Sequence, residues 1–220
     1  MTAHFLNLME QTRRQSLRMA SQVEDMLHEA CEAVFEPNAP LALRVIERDR
    51  EIDTAEVAVE AEVIRLLALY QPVGRDLRLL CTILKVNSEL ECVADCAVNI
   101  AERARHLVVQ EPARNCPELR QLIAAVRAAL RAAIQAFGDD DEQSARRVIE
   151  EDSAIDAVHG QIVRNTVATD MAGHTLAAYL DLLSVAKNLE RIADHAAGIA
   201  KDVVFLCTGH IVRHRADHPV

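Results

Sequence analysis

Apolar residues recur at spacings of three and four along almost the whole chain, which is the period of an amphipathic helix. From about Thr2 to Phe35 the stripe runs through Phe5, Leu8, Met9, Leu17, Met19, Val23, Met26, Leu27, Ala30 and Val34, uninterrupted by Pro or Gly. Glu36-Pro37-Asn38-Ala39-Pro40 breaks it, since proline lacks the backbone donor and clashes with the preceding turn. The pattern resumes from about Leu41 to Tyr70 and stops at Gln71-Pro72-Val73-Gly74, after which Arg75 opens a third stretch to about Val109. Glu111-Pro112-Ala113-Arg114-Asn115-Cys116-Pro117 is the strongest linker and lies near the middle of the chain. Three further helices are expected beyond it. They run from about Glu118 to Phe137, ending at Gly138-Asp139-Asp140-Asp141, from Glu142 to about Asp170, with a break near Gly173, and from Thr175 to Cys207, with Gly209 as a C-terminal cap.

The chain is also written twice. Glu89-Leu90-Glu91-Cys92-Val93-Ala94-Asp95-Cys96-Ala97 returns as Asn188-Leu189-Glu190-Arg191-Ile192-Ala193-Asp194-His195-Ala196, and Glu47-Arg48-Asp49-Arg50-Glu51-Ile52-Asp53 has its counterpart in Glu150-Glu151-Asp152-Ser153-Ala154-Ile155-Asp156. Asp156 lies 103 residues after Asp53, whereas Asp194 lies 99 after Asp95. The difference is about one helical turn and is most simply absorbed at Gln71-Pro72-Val73-Gly74. A duplication of this extent predicts an all-α chain of two tandem, similar three-helix bundles, over residues 1–111 and 114–209, with a tail at 210–220. Short connections favour an up-down-up arrangement of long rods.

Composition agrees with helix-on-helix packing: half of the 220 residues are hydrophobic, only 3% are aromatic, and Trp is absent. The formal charge of −10 argues against nucleic acid, which demands a basic surface. No apolar run reaches the ~18 residues of a membrane span, and the first residues lack the basic start of a signal peptide. A cytoplasmic protein is expected, with Cys31, Cys81, Cys92, Cys96, Cys116 and Cys207 as reduced thiols.

The repeated acids carry the candidate chemistry. Asp49 with Asp53, Glu91 with Asp95, Asp152 with Asp156, and Glu190 with Asp194 each stand one turn apart on a helix face. Like charges so placed cost about 0.2–0.5 kcal/mol per pair unless a cation lies between them. Any one pair among 34 acidic residues reads better as a solvated face, but recurrence at matched positions points to a cation site. Glu47, Asn99 and Glu150 are possible extra ligands. Oxygen ligation suits hard cations such as magnesium, manganese, calcium or iron more than a dedicated zinc site. Cys96 and His195, which follow the motif aspartates, fit packing better than ligation because adjacent helical residues point about 100° apart. His210, His214 and His218 read as a polar tail. A helical scaffold for another process, metal-binding or metal-free with an acidic face that docks a basic partner, is one alternative. A di-iron oxidase is a rival class, although its Glu-x-x-His pairs are met only by Asp25-x-x-His28 and Asp156-x-x-His159.

Taken together, Val45-Ile46-Glu47-Arg48-Asp49-Arg50-Glu51-Ile52-Asp53, Gln71-Pro72-Val73-Gly74-Arg75-Asp76-Leu77-Arg78, Asn99-Ile100-Ala101-Glu102 and Lys187-Asn188-Leu189-Glu190-Arg191-Ile192-Ala193-Asp194-His195-Ala196 resemble the PhoU family of phosphate-transport accessory and regulatory proteins. The resemblance implies two three-helix bundles and iron or zinc clusters on the eight acids named above. It implies a non-enzymatic negative regulator, a homodimer in the cytoplasm. Such a regulator contacts the ATPase subunit of a phosphate ABC transporter and a sensor histidine kinase, and reaches the membrane only through them. Cys92-Val93-Ala94 stands where the family usually reads Arg-Ile-Gly, and Gly198 and Lys201 replace Asn99 and Glu102 in the second copy. The two metal sites are therefore expected to differ.

Overall fold

The computed structural model of the chain describes residues 3–36, 39–107, 116–168 and 176–212. Glu111 to Asn115 of the expected linker, the break at Gly173, and His214 and His218 of the tail lie outside these residues. Six helices and no strand occur among the described residues: α1 Ala3–Phe35, α2 Ala39–Tyr70, α3 Gly74–Leu107, α4 Pro117–Asp139, α5 Glu142–Ala168 and α6 Leu176–Thr208. No helix among them is long and apolar enough to cross a membrane.

Helix ends differ from the sequence expectation for local reasons. α2 begins at Ala39 and takes Pro40 into its first turn, where the missing N–H would have had no intrahelical partner. Pro117 opens α4 in the same way. α4 passes through Gly138 and ends at Asp139, with Asp140 as the left-handed cap (φ 53°) donating its N–H to the Ala136 carbonyl. A non-glycine residue is held there because Arg13 of α1 pairs with Asp140 Oδ1 at 2.6 Å and Arg75 of α3 takes Oδ2. Arg13 also donates to the Phe137 and Gly138 carbonyls, so the end of α4 is fastened to both α1 and α3. Gly209 (φ 77°) terminates α6, its N–H bonded to the Phe205 carbonyl at 2.8 Å.

α3 and α6 form the most extensive contact and are the centre of the molecule. α1 and α2 pack on α3, α4 and α5 pack on α6, and α1 also touches α4. Leu80, Ile83, Leu90, Val93 and Ile100 of α3 are fully buried, as are Leu189, Ile192, Ile199 and Val203 of α6, at the spacing of three and four that defines one helix face. All six cysteines are unbridged, and Cys31 and Cys96 are buried.

The α3–α6 contact is antiparallel and obeys the duplication. Arg78 Nε donates to the Leu206 carbonyl at 3.2 Å, Lys85 Nζ pairs with Asp202 at 2.9 Å, Glu89 meets His195 at 2.6 Å, and Arg103 reaches Asp181 at 3.6 Å. Thr82 Oγ1 bonds the Asp202 carbonyl at 3.4 Å. Asp181 occupies the repeat position of Thr82 and Asp202 that of Arg103, so the Thr82–Asp202 and Arg103–Asp181 contacts are one pair of positions used twice. The same relation makes Cys96 with Asn188 the mate of His195 with Glu89. These two pairs bracket the stretches that carry both acidic motifs.

Candidate functional site

The acid pairs are placed by the core beneath them. Leu90, Val93, Ala94 and Ala97 turn one face of α3 into the interior, which leaves Glu91 and Asp95 on the face toward α2. In α6, Leu189, Ile192, Ala193 and Ala196 are buried likewise and leave Glu190 and Asp194 toward α5. On α2 and α5, burial of Ile52 and Ile155 fixes the rotation that exposes Asp53 and Asp156. The two halves repeat the placement: Asp49, Glu91, Asp152 and Glu190 are half-buried, whereas Asp53, Asp95, Asp156 and Asp194 are exposed.

Electrostatics joins each set across its helix pair. Burial raises the Asp49 carboxyl above its usual value, and repulsion from Asp53, Asp95 and Glu91 adds to the rise. Burial likewise raises Asp152, with repulsion from Asp156, Asp194 and Glu190. Asp194 is raised by burial and then by Glu190 and Asp156. Each α2–α3 or α5–α6 seam therefore gathers four acids whose charged forms disfavour one another. As the side chains stand, no group of three or more His, Cys, Asp or Glu among the described residues is arranged to hold a metal ion. Like charges keep such side chains apart.

The donor set fits a hard cation. Its members are carboxylate oxygens, and Asp152 Oδ1 is buried with no hydrogen-bond partner. That oxygen carries a desolvation cost that a cation would offset. Of the expected supplementary ligands, Asn99 donates its amide to the Asp95 carbonyl at 2.9 Å, and Glu47 and Glu150 are exposed.

One site residue is not marked by the repeated motifs. Glu56 of α2 is raised by burial and by repulsion from Glu91, Glu60, Asp53 and Asp95, so it belongs with the first set. The signal was its position one turn beyond Asp53; His159 stands at the matching place after Asp156. His195 is engaged elsewhere. Hydrogen bonds with Cys96 and Glu89 push its pKa up to about 9, which makes it an internal cation tying α6 to α3.

Comparison with known proteins adds the family. The family model described as PhoU domain matches residues 16–104 and 119–203, one match per bundle. The chain is 35% identical over 208 residues to the "Phosphate-specific transport system accessory protein PhoU homolog" of Aquifex aeolicus, covering 94% of each chain. It is 34% identical to the protein of the same description from Pseudomonas putida, covering 94% of this chain and 81% of that one. The crystal structure of PhoU from Pseudomonas aeruginosa superposes with a TM-score of 0.89 at 31% identity, covering 94% of this chain and all of the other. The phosphate transport system regulatory protein PhoU from Streptococcus pneumoniae shares the fold, with a TM-score of 0.88 at 24% identity. The chain belongs to the PhoU family.

Proposed function

We propose that this protein is a cytoplasmic, non-catalytic negative regulator of phosphate uptake and of phosphate-starvation signalling. It acts as a homodimer by contact with the ATPase subunit of a phosphate ABC transporter and with a sensor histidine kinase. The observation that carries this reading is the near full-length match, bundle for bundle, to accessory proteins of phosphate-specific transport systems. Long helical rods with charged outer faces offer extended docking surfaces, and the acidic surface suits protein partners rather than nucleic acid.

In the same reading Asp49, Asp53, Glu91 and Asp95 hold cations on the first bundle, and Asp152, Asp156, Glu190 and Asp194 do so on the second. Iron, manganese, magnesium or zinc bound there supplies positive charge that lets the facing carboxylates approach one another. The support is the matched placement of the eight acids and the unpaired, buried Asp152 Oδ1. A di-iron enzyme is the weaker alternative. Its Asp-x-x-His pairs fall on α1 and α5, which do not pack along one another, and His28 lies 3.3 Å from Glu32 on its own helix.

The direct test is recovery of partners. Immunoprecipitation of the protein from its host grown in rich phosphate should bring down the transporter ATPase and a sensor kinase. If neither is recovered after mild cross-linking, the regulatory reading by contact fails.

A further inference from the structure

The two acidic sets are built on matched positions, yet basic side chains stand among the acids of the second. In the first, the charged side chains about Asp49 and Glu56 are carboxylates. In the second, basic side chains stand among the acids, Lys201 near Asp152 and Lys187 near Asp194. Lys187 is also in direct contact with Glu190. The repeat positions show where the difference arises. Lys187 corresponds to Ser88, Lys201 to Glu102, and His159 to Glu56. Two lysines in the second half thus stand where the first half has a hydroxyl and an acid, and a carboxylate becomes an imidazole.

A second observation distinguishes the first set. Asn87 of α3 is 1% exposed, and it precedes Glu91 by one turn on the same side of the helix. Its amide nitrogen donates to the Glu56 carbonyl of α2 at 3.1 Å, while its Oδ1 is buried without a partner. A buried amide oxygen left unpaired costs about 1–3 kcal/mol, and carbonyl-type oxygens are ordinary ligands of hard cations. At the matching position of α6 stands Ala186, which offers no donor.

We infer that cation loading in this chain is concentrated on the α2–α3 set, where Glu56 and the Asn87 side-chain oxygen extend the four paired acids. Lys187 and Lys201 hold the α5–α6 set as a partly neutralised counterpart. This rests on the proposed cation binding and sharpens it. Local charge decides the matter. The first set presents five carboxylates to an incoming ion, whereas in the second a tethered ammonium competes with the ion for the same oxygens. The unpaired Asp152 Oδ1 leaves the second set one open donor, so that set keeps a weaker share of the loading.

The experiment counts Mn²⁺ bound to the untagged full-length protein by equilibrium dialysis, with electron paramagnetic resonance reporting the free ion. In the variant Asp53→Asn/Glu56→Gln/Asp95→Asn bound Mn²⁺ should fall at least tenfold, and in Asp156→Asn/Asp194→Asn it should stay within a factor of two. The converse variant, Lys187→Ser/Lys201→Glu, should gain binding, with about twice the Mn²⁺ bound at saturation. Equal losses in the two carboxylate variants, or no gain in the lysine variant, would overturn the inference and leave cation binding itself standing. Absence of bound Mn²⁺ from the wild-type protein would overturn both. Far-ultraviolet circular dichroism confirms that each variant is folded, and all the substituted residues lie on exposed or half-buried faces.

Discussion

His195 of α6 places Nδ1 2.6 Å from the Glu89 carboxylate of α3, and Gly198, one turn further along α6, leaves the room for it. A Cβ at Gly198 would stand 2.9 Å from Glu89 Oε1 and 3.0 Å from Cδ. Since His195 fixes that carboxylate, it cannot simply swing away. Gly198→Ala should therefore destabilise the protein by about 1–3 kcal/mol, the usual cost of overpacking, despite alanine's better helix propensity. In a double-mutant cycle Glu89→Ala should recover most of that loss, as read by urea denaturation. Simple additivity would show that the glycine is not there to admit Glu89.

The Lys85–Asp202 pair should prove unequal in its two halves. The Asp202 side chain is 3% exposed and that of Lys85 34%, and the Lys85 ammonium also lies 4.8 Å from the Phe205 ring centre. Removing Lys85 leaves a charge inside the α3–α6 contact, whereas removing Asp202 frees a lysine that can reach water. Lys85→Met should cost about 2–3 kcal/mol, somewhat below the ~3–5 kcal/mol of a fully buried broken pair. Asp202→Asn should cost less. Chemical denaturation of the two variants settles the order.

Asp141 gives a pH-dependent prediction. It caps α5, accepting the Ser144 N–H at 3.0 Å and the Ser144 hydroxyl at 2.6 Å, and these bonds hold its carboxyl below the ordinary value. A lowered pKa stabilises the folded state at pH above the unfolded-state value of about 3.9, and that stabilisation fades as pH falls through the folded-state value. Asp141→Ala should lower the melting temperature at pH 7, and the gap from wild type should narrow below pH 4. A gap independent of pH would mean that the cap acts without its charge.

Cation binding predicts a sign. If Mn²⁺ joins the paired carboxylates, the wild-type melting temperature should rise with Mn²⁺ concentration, and Glu91→Ala/Asp95→Ala/Glu190→Ala/Asp194→Ala should abolish the rise. Without added cation Glu91→Ala/Asp95→Ala alone should melt at or slightly above wild type, because it has lost mutually repelling charges that no lysine offsets. A cation-free variant that melts well below wild type would assign the acids a structural role instead.

The helices and the eight paired acids were legible in the sequence because both rest on local periodicity. A 3.6-residue stripe and an i, i+4 pair are visible in one segment of chain. Glu56 was not, since its partners Glu91 and Asp95 lie on another helix and no repeated letter marks it: its counterpart is His159. The α3–α6 pairs escaped for the same reason, as nothing near Lys85 announces Asp202. Asp140 was read as part of a loop with Gly138 as the natural breaker, and two arginines from other helices decided otherwise. Local rules located the elements; tertiary partners chose between their alternatives.

Expression of phosphate-starvation genes in rich phosphate, followed after deletion of the gene from its host, tests the regulatory reading most directly. Deletion should switch those genes on while phosphate is plentiful, and the wild-type protein supplied in trans should switch them off again. Starvation-gene expression that stays low in rich phosphate after deletion would contradict the account.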